Sequence, residues 1–312
     1  MSSESAFQVL KSGPLASLQD AGRYGVRHLG ITQGGAADLH AWAWANWLAG
    51  NSWGRAVLEV TFGGLSLQAD QALTLALTGA DLGVTLDGEA IAPWASFKVR
   101  AGQTLAFSTP KSGLRAYLAV AGGFFADPVL GSLSGVARER LGGHDGQGSQ
   151  LKAGDELRVD SAEAGNCKPL REMPSSRIPD YRQPPTLEFV LGAQSAEFTG
   201  ISLFNFFNRP WVVDNRSDRM GIRLQGPKLS SRVGSMVSEG LALGAVQVPP
   251  DGQPIVLLND RQTIGGYPRL GTLPPLACSR LAQCLPGGEV RFRPVSLERA
   301  HHAYLEFSRH FR

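Results

Sequence analysis

Cysteine is nearly missing from this 312-residue chain, which has only Cys167, Cys278 and Cys284. An odd handful without metal-ligand spacing excludes a disulfide framework and a zinc site. Histidine is sparse too, and His28, His40, His144, His301, His302 and His310 form no ligand pattern, so no metal is expected. Met1 to Ala6 carries no basic residue and no apolar run, so no secretory leader is expected. No apolar stretch approaches the roughly 20 residues that span a membrane. The net charge of +3 is too small to argue for nucleic acid. These absences lead to the expectation of a soluble cytoplasmic protein with no membrane or nucleic-acid partner. Nor is there a G-x-x-x-x-G-K-[ST] phosphate loop. Leu141-Gly142-Gly143-His144-Asp145-Gly146-Gln147-Gly148-Ser149 is rich in glycine but has no lysine after it and no strand–turn–helix context.

Apolar residues make up 43% of the chain and charged residues 18%, enough for one large or two medium cores. Charge is uneven. Residues 1–160 carry 12 basic and 14 acidic side chains, and residues 161–312 carry 18 and 13, which is either an anionic ligand or acidic partner for the second half or ordinary scatter of surface charge. Short apolar or alternating runs recur with glycine or proline between them: Phe7–Leu10, Val57–Val60, Leu65–Gln68, Leu73–Leu77, Val84–Leu86, Phe97–Val99, Thr104–Phe107, Arg115–Val120, Leu157–Val159 and Leu187–Leu191. Many short, regularly punctuated strands predict barrels or sandwiches rather than βαβ units. Lys152-Ala153-Gly154-Asp155-Glu156-Leu157-Arg158-Val159 is echoed by Leu285-Pro286-Gly287-Gly288-Glu289-Val290-Arg291-Phe292, so two related β-rich domains are expected. Their predicted extents are 1–161 and 186–312, joined by a proline-rich linker over 162–185.

Three helical stretches interrupt the strands. Asp38 is a good N-cap and Gly50 a good C′ residue for Leu39–Ala49, whose Trp42, Trp44 and Trp47 are expected to pack in a core or against a partner. Ser195 is expected to cap a helical segment running toward Phe207. Leu297 to Phe311 reads as a terminal amphipathic helix on the second domain.

The stretch Ser238 to Pro268 holds most of the expected chemistry. Ala245–Val248 and Ile255–Leu258 flank Pro249-Pro250-Asp251-Gly252, the pattern of a hairpin. Five polar residues, Asn259-Asp260-Arg261-Gln262-Thr263, then follow a buried strand, and Gly265-Gly266 lets backbone N–H groups approach a ligand. Upstream, Asp214-Asn215-Arg216-Ser217-Asp218-Arg219-Met220-Gly221-Ile222-Arg223 supplies guanidinium forks suited to carboxylate or phosphate. Convergence of Arg219 or Arg223 with Glu239, Asp260 and Gln262 would make a cavity for an anionic or amide-bearing molecule, with Glu239 or Asp260 as proton acceptor. An arginine–aspartate brace for the fold is the competing reading. Gln19, Asp20 and Arg23 either line a pocket or secure a long glycine-rich loop.

Several of these segments, in this order, resemble the KipA / allophanate hydrolase subunit 2 family. They are Gly13-Pro14-Leu15 with Gln19-Asp20-Ala21-Gly22-Arg23, Gly34-Gly35-Ala36-Ala37-Asp38, Ala119-Val120-Ala121-Gly122-Gly123, Asp218 to Arg223, Ser238-Glu239-Gly240, Gln247 to Pro254, and Asp260-Arg261-Gln262-Thr263 with Gly265-Gly266-Tyr267-Pro268. The same module is similar to the carboxyltransferase domain of urea carboxylase. Ala37 departs from the family, which usually has Met or Leu before that aspartate. The resemblance implies two tandem cyclophilin-like β-barrel domains, mainly β with a few helices. It implies a component of a multi-subunit, ATP-dependent 5-oxoprolinase acting with two partners, a KipI-like B subunit and the A subunit, on a small lactam or amide. Alternatives are a biotin-dependent carboxyltransferase acting on urea or a related amide, or a regulatory protein that binds a KipI-like kinase inhibitor. ATP would be used through the complex. Biotin would arrive only on another protein, since no Met-Lys attachment motif is present. The expected catalytic residues are Glu239, Asp260, Gln262 and Arg223. The expected ligand-binding set is Arg219, Ser238, Gln247, Thr263, Gly265, Gly266, Tyr267, Gln19, Asp20 and Arg23.

Overall fold

Where an apolar run is continuous, both faces of its strand must be covered, and where it alternates, one face meets water. Both patterns occur here, in both halves of the chain. A computed structural model describes residues 3–160, 169–234 and 236–311. The chain groups into two compact units. The first takes in the opening residues to Tyr24, then Gly34–Arg182, and Phe311. The second takes in Gly25–Gln33 and Gln183–His310. The architecture is mainly β with a few helices, in tandem β-rich units, as the sequence leads one to expect.

In the first unit the strands are β1 (Ser3–Lys11), β2 (Leu15–Gln19), β3 (Val57–Thr61), β4 (Ser66–Ala69), β5 (Leu73–Asp81), β6 (Thr85–Leu86), β7 (Glu89–Ala90), β8 (Ala95–Val99), β9 (Thr104–Ala106), β10 (Ser112–Val120), β11 (Phe124–Phe125) and β12 (Glu156–Asp160). They form a seven-stranded sheet, β11-β12-β1-β4-β9-β6-β7, and a five-stranded sheet, β2-β3-β10-β5-β8. Leu58, Val60, Leu75, Leu77, Leu118 and Val120 enter the core with Phe7, Leu67 and Leu157. The helix α1 (Leu39–Ala49) packs on β5 and β10, so both strands are buried almost throughout. Its caps are those expected: Asp38 Oδ1 accepts from Ala41 N at 2.9 Å, and Gly50 has φ +74°.

The tryptophans of α1 pack within the first unit, with Trp42 and Trp44 buried and Trp47 half-buried. Trp42 is fully buried, donates from Nε1 to the Arg55 carbonyl at 3.1 Å and meets Trp53 edge-on at 4.8 Å. Trp44 meets Phe311 at 5.2 Å, and the Arg171 guanidinium lies 4.8 Å from the Trp47 ring. The proline-rich stretch 162–185 lies in part outside the described residues, as does Cys167. Residues 169–182 of it group with the first unit: Arg171 Nη1 donates to the Trp47 carbonyl at 2.7 Å, and Met173 N to the Trp94 carbonyl at 2.9 Å.

The second unit has β13 (Thr186–Leu191), β14 (Trp211–Val213), β15 (Gly221–Gln225), β16 (Glu239–Gly240), β17 (Ala245–Gln247), β18 (Ile255–Leu257), β19 (Ile264–Gly265), β20 (Arg269–Thr272) and β21 (Glu289–Pro294). Seven of these close a barrel, β13-β20-β17-β18-β15-β14-β21, sealed by the parallel pairing of β13 with β21. The remaining two, β16 and β19, form a short ribbon with Glu239 opposite Gly265. Alternation is clean on β21, where Val290 and Phe292 point inward between exposed neighbours. Phe292 stacks on Phe206 at 4.4 Å inside the barrel core. Phe206 lies on α2 (Gly200–Asn208), whose N-cap is Thr199, accepting from Ser202 N at 3.3 Å. The expected cap at Ser195 is thereby corrected: Ser195 sits in a separate 3-10 turn, Ala193–Glu197, and the helix begins after it. The helices α3 (Pro275–Ala282) and α4 (Leu297–Arg309) complete the unit, and α4 packs against β13. Among the described residues no helix is long and apolar enough to cross a membrane, and no cluster of three or more metal-ligating side chains occurs.

Candidate functional site

The hairpin at the centre of the sequence argument forms as its residues demand. Strand β17 pairs with β18, Gln247 opposite Ile255, and the turn closes through Gly252 N donating to the Pro249 carbonyl at 2.9 Å. Gly252 has φ +78°, and a methyl there would lie 2.7 Å from the Leu229 carbonyl oxygen, so glycine is required on both counts. Beyond β18 the chain keeps following the segment before β15: Leu258 N donates to the Met220 carbonyl and Asp260 N to the Arg219 carbonyl, each at 2.9 Å. That register sets Asp260 beside Arg219, 41 residues earlier. Arg219 Nε donates to Asp260 Oδ2 at 2.9 Å and Nη2 to Oδ1 at 3.0 Å, a two-pronged pair at a nearly buried position.

Arg223 does not share this pair. It alternates outward on β15, between inward Ile222 and Leu224, and is exposed. Convergence with Asp260 is met by Arg219 alone. Gln262 and Thr263 are half-buried, while Ser238 and Tyr267 are exposed. Glu239 is exposed and ion-paired with Arg269, whose Nη1 donates to the Gly240 carbonyl at 3.0 Å. Gln194 completes that knot, with Oε1 accepting from Arg269 N at 2.8 Å and Nε2 donating to Glu239 at 3.3 Å. Asp214 anchors a further network. Hydrogen bonds from Arg216 hold its carboxyl well below the usual carboxylate range, and Gln225 Nε2 donates to it at 2.6 Å.

The root of the β16–β19 ribbon is a set of cation-to-carbonyl bonds. Arg261 is buried and spreads its guanidinium over three acceptors: the Leu241 carbonyl at 3.1 Å, the Leu258 carbonyl at 3.1 Å and Gln33 Oε1 at 3.2 Å. Arg27 Nη2 donates to the same Leu241 carbonyl at 2.7 Å and to that of Thr263 at 3.4 Å. Gln247 lies under this ribbon, buried, with Gly265 over its amide. A methyl on Gly266 would lie 2.7 Å from the Met236 carbonyl oxygen and 3.5 Å from Ser238 Oγ.

Residue-type reasoning missed Arg27, Gln33, Gln194 and Arg269, and passed over Arg261 although it stands in the motif Asp260 to Thr263. The expected ligands Gln19, Asp20 and Arg23 belong to the first unit, where their described bonds secure a loop. Asp20 accepts from Gly22 N, Leu133 N, Ser132 Oγ and Ser134 Oγ at 2.5–2.8 Å. Arg23 donates to the carbonyls of Val129 and Ser134 at 2.9 Å, and Gln19 to that of Gly135 at 2.9 Å. Cys278 is buried in the barrel core, and burial pushes its thiol pKa up to about 12.

Residues 29–294 match the model of the carboxyltransferase domain, subdomain A and B. The chain belongs to this carboxyltransferase-domain family. Within it, the chain is 38% identical to the C subunit of 5-oxoprolinase from Escherichia coli (strain K12) over 312 residues, covering 97% of this chain and 96% of that one. It is 30% identical to urea amidolyase of Saccharomyces cerevisiae, covering 94% of this chain but 17% of that protein. The carboxyltransferase-domain fold is shared with the crystal structure of Kluyveromyces lactis urea amidolyase, TM-score 0.90 at 26% identity over 99% of this chain and 20% of that one. TTHA0988 superposes with TM-score 0.82 at 35% identity, over 93% of this chain and 56% of that chain.

Proposed function

We propose that this family member is the C subunit of an ATP-dependent 5-oxoprolinase, opening 5-oxoproline to L-glutamate together with a KipI-like B subunit and an A subunit. The observation that carries this reading is the end-to-end match with a relative of that name. A lactam carbonyl is a poor electrophile, so its oxygen must be drawn toward positive charge before water can attack the carbon. The barrel unit supports that role with the guanidinium groups of Arg27, Arg261 and Arg269 at the β16–β19 ribbon. Asp260 is committed to Arg219, so in this reading it orients the guanidinium, and the proton acceptor is a carboxylate such as Glu239 or a group supplied by a partner chain. Nucleotide is assigned to the partner chains. Arg219, Arg261 and Arg269 are already engaged with acceptors, and no phosphate-loop sequence is present, so the donor set does not fit a triphosphate.

The test is reconstitution. The three subunits together hydrolyse ATP only when 5-oxoproline is added, and omission of this chain abolishes that dependence. Coupled turnover that persists without the chain, or never occurs with all three, rejects the reading. A second reading has a specific observation behind it, the TM-score of 0.90 to urea amidolyase. In it the chain moves a carboxyl group from carboxylated biotin, carried by another protein, to an amide nitrogen. Acceptor-dependent decarboxylation of carboxybiotin by the isolated chain would establish it, and failure with urea and related amides would exclude it.

A further inference from the structure

The apolar mouth of a barrel stays dry only where other elements cover it. One rim of the second unit is covered in part. Strands β13 and β20 end there, with Val190 opposite Thr272 and Leu191 opposite Gly271, and Pro274-Pro275 then lead into α3. Helix α4 returns to the same rim against β13. Between them lies a cavity of about 400 Å³. Its barrel wall is formed by Val190, Leu191, Leu243, Leu273 and Pro275, and none of the residues placed at the β16–β19 ribbon lines it.

The opposite wall is one face of α4. Leu297, Ala300, His301 and Tyr304 stand at the three- and four-residue spacings that share a helix face. In a surface helix the apolar face is ordinarily covered. Here Ala300 is buried, yet Leu297 is 66% exposed, and Leu191 on the barrel side is 46% exposed. Two large aliphatic side chains thus flank an opening that the chain itself does not fill. Three polar side chains interrupt the lining, those of Thr272, His301 and Tyr304. Each can donate a hydrogen bond, and among the described residues none has a side-chain hydrogen-bond partner. No carboxylate lines the cavity. Its volume is that of a small-molecule site, and an apolar wall with a few polar groups is the usual composition of one.

We propose that this cavity binds a small apolar acid, a ring or short alkyl body bearing one carboxylate. The body lies between Leu191 and Leu297, and the carboxylate accepts from the Tyr304 hydroxyl and the His301 ring. Donors without a lining carboxylate favour an anion over a cation. The site is separate from the ribbon, so it stands or falls independently of the oxoprolinase reading.

Calorimetric titration of the full chain with three probes tests it. 4-Phenylbutyrate has both parts, 4-phenylbutan-1-ol lacks the carboxylate, and succinate lacks the apolar body. 4-Phenylbutyrate is expected to saturate one site, with each of the other two weaker by about tenfold or more. Leu297→Glu should weaken 4-phenylbutyrate by about tenfold or more. It should move the Tm little, because Leu297 is exposed and directly follows the Ser296 cap, where a carboxylate suits the helix. Tyr304→Phe should narrow the preference for the acid over the alcohol. Absence of saturable binding by 4-phenylbutyrate overturns the proposal, as does unchanged affinity in Leu297→Glu, which would put the ligand elsewhere on the molecule. Equal affinity for acid and alcohol in the unsubstituted protein overturns the choice of ligand class.

Discussion

Each unit buries a polar cluster of similar make-up, and the two end differently. In the first unit Asp20 receives four hydrogen bonds from the loop it organises, three on Oδ1 and one on Oδ2. In the second, the ion pair of Arg219 with Asp260 is equally closed, yet Gln247 and Arg27 beside the ribbon keep N–H groups without acceptors. A cluster satisfied from within explains itself as architecture. Asp20 and Gln247 read alike as buried polar residues, and only the first is satisfied from within.

The largest effect should come from opening a closed pair. Arg219→Met leaves the Asp260 carboxylate nearly buried without its two donors and should cost about 3–5 kcal/mol in urea unfolding, whereas Arg219→Met with Asp260→Leu should cost far less than the two singles summed. Additive costs would show that the two side chains do not act as a unit. Next comes Asp20→Asn, which turns one acceptor oxygen into a donor facing the Leu133 N–H and should cost about 2–3 kcal/mol while leaving 5-oxoproline affinity untouched. A change in affinity would break the contrast between the units. The smallest effect is one of pH. The folded-state pKa of Asp214 is depressed, so the unfolded chain takes up the proton first as acidity rises. Its contribution is complete above a pH of about 4 and drains away below it. Asp214→Asn should flatten the acid limb of stability against pH, and an identical limb in both proteins would count against the Arg216 bond as the cause.

Local signals carried the fold. Asp38 and Gly50 bracket α1 at the residues their side-chain and backbone chemistry selects, and Pro249 to Gly252 turns where proline and glycine say it must. Ser195 misled because a serine before a helical pattern is a good cap only if the helix starts there. Thr199, four residues on, has the right hydrogen bond instead. The site was legible as a stretch but not as an arrangement. Asp260 and Arg219 were both visible as candidates, and Arg223 looked equal to Arg219 until strand alternation turned it outward. Arg27 left no trace, since a guanidinium that donates to a backbone carbonyl 214 positions away needs no particular partner residue to betray it.

The grouping of Gly25–Gln33 with the later unit makes that unit discontinuous in the gene. A fragment cut to begin at Gln183 would lack Arg27 and Gln33, stripping Arg261 of one acceptor and the Leu241 carbonyl of one donor. Dissecting this protein into halves at its proline-rich stretch would thus yield a damaged second piece. A circularly permuted or split version that returns the early peptide, in cis or as a separate strand, is the form in which the barrel can be studied alone.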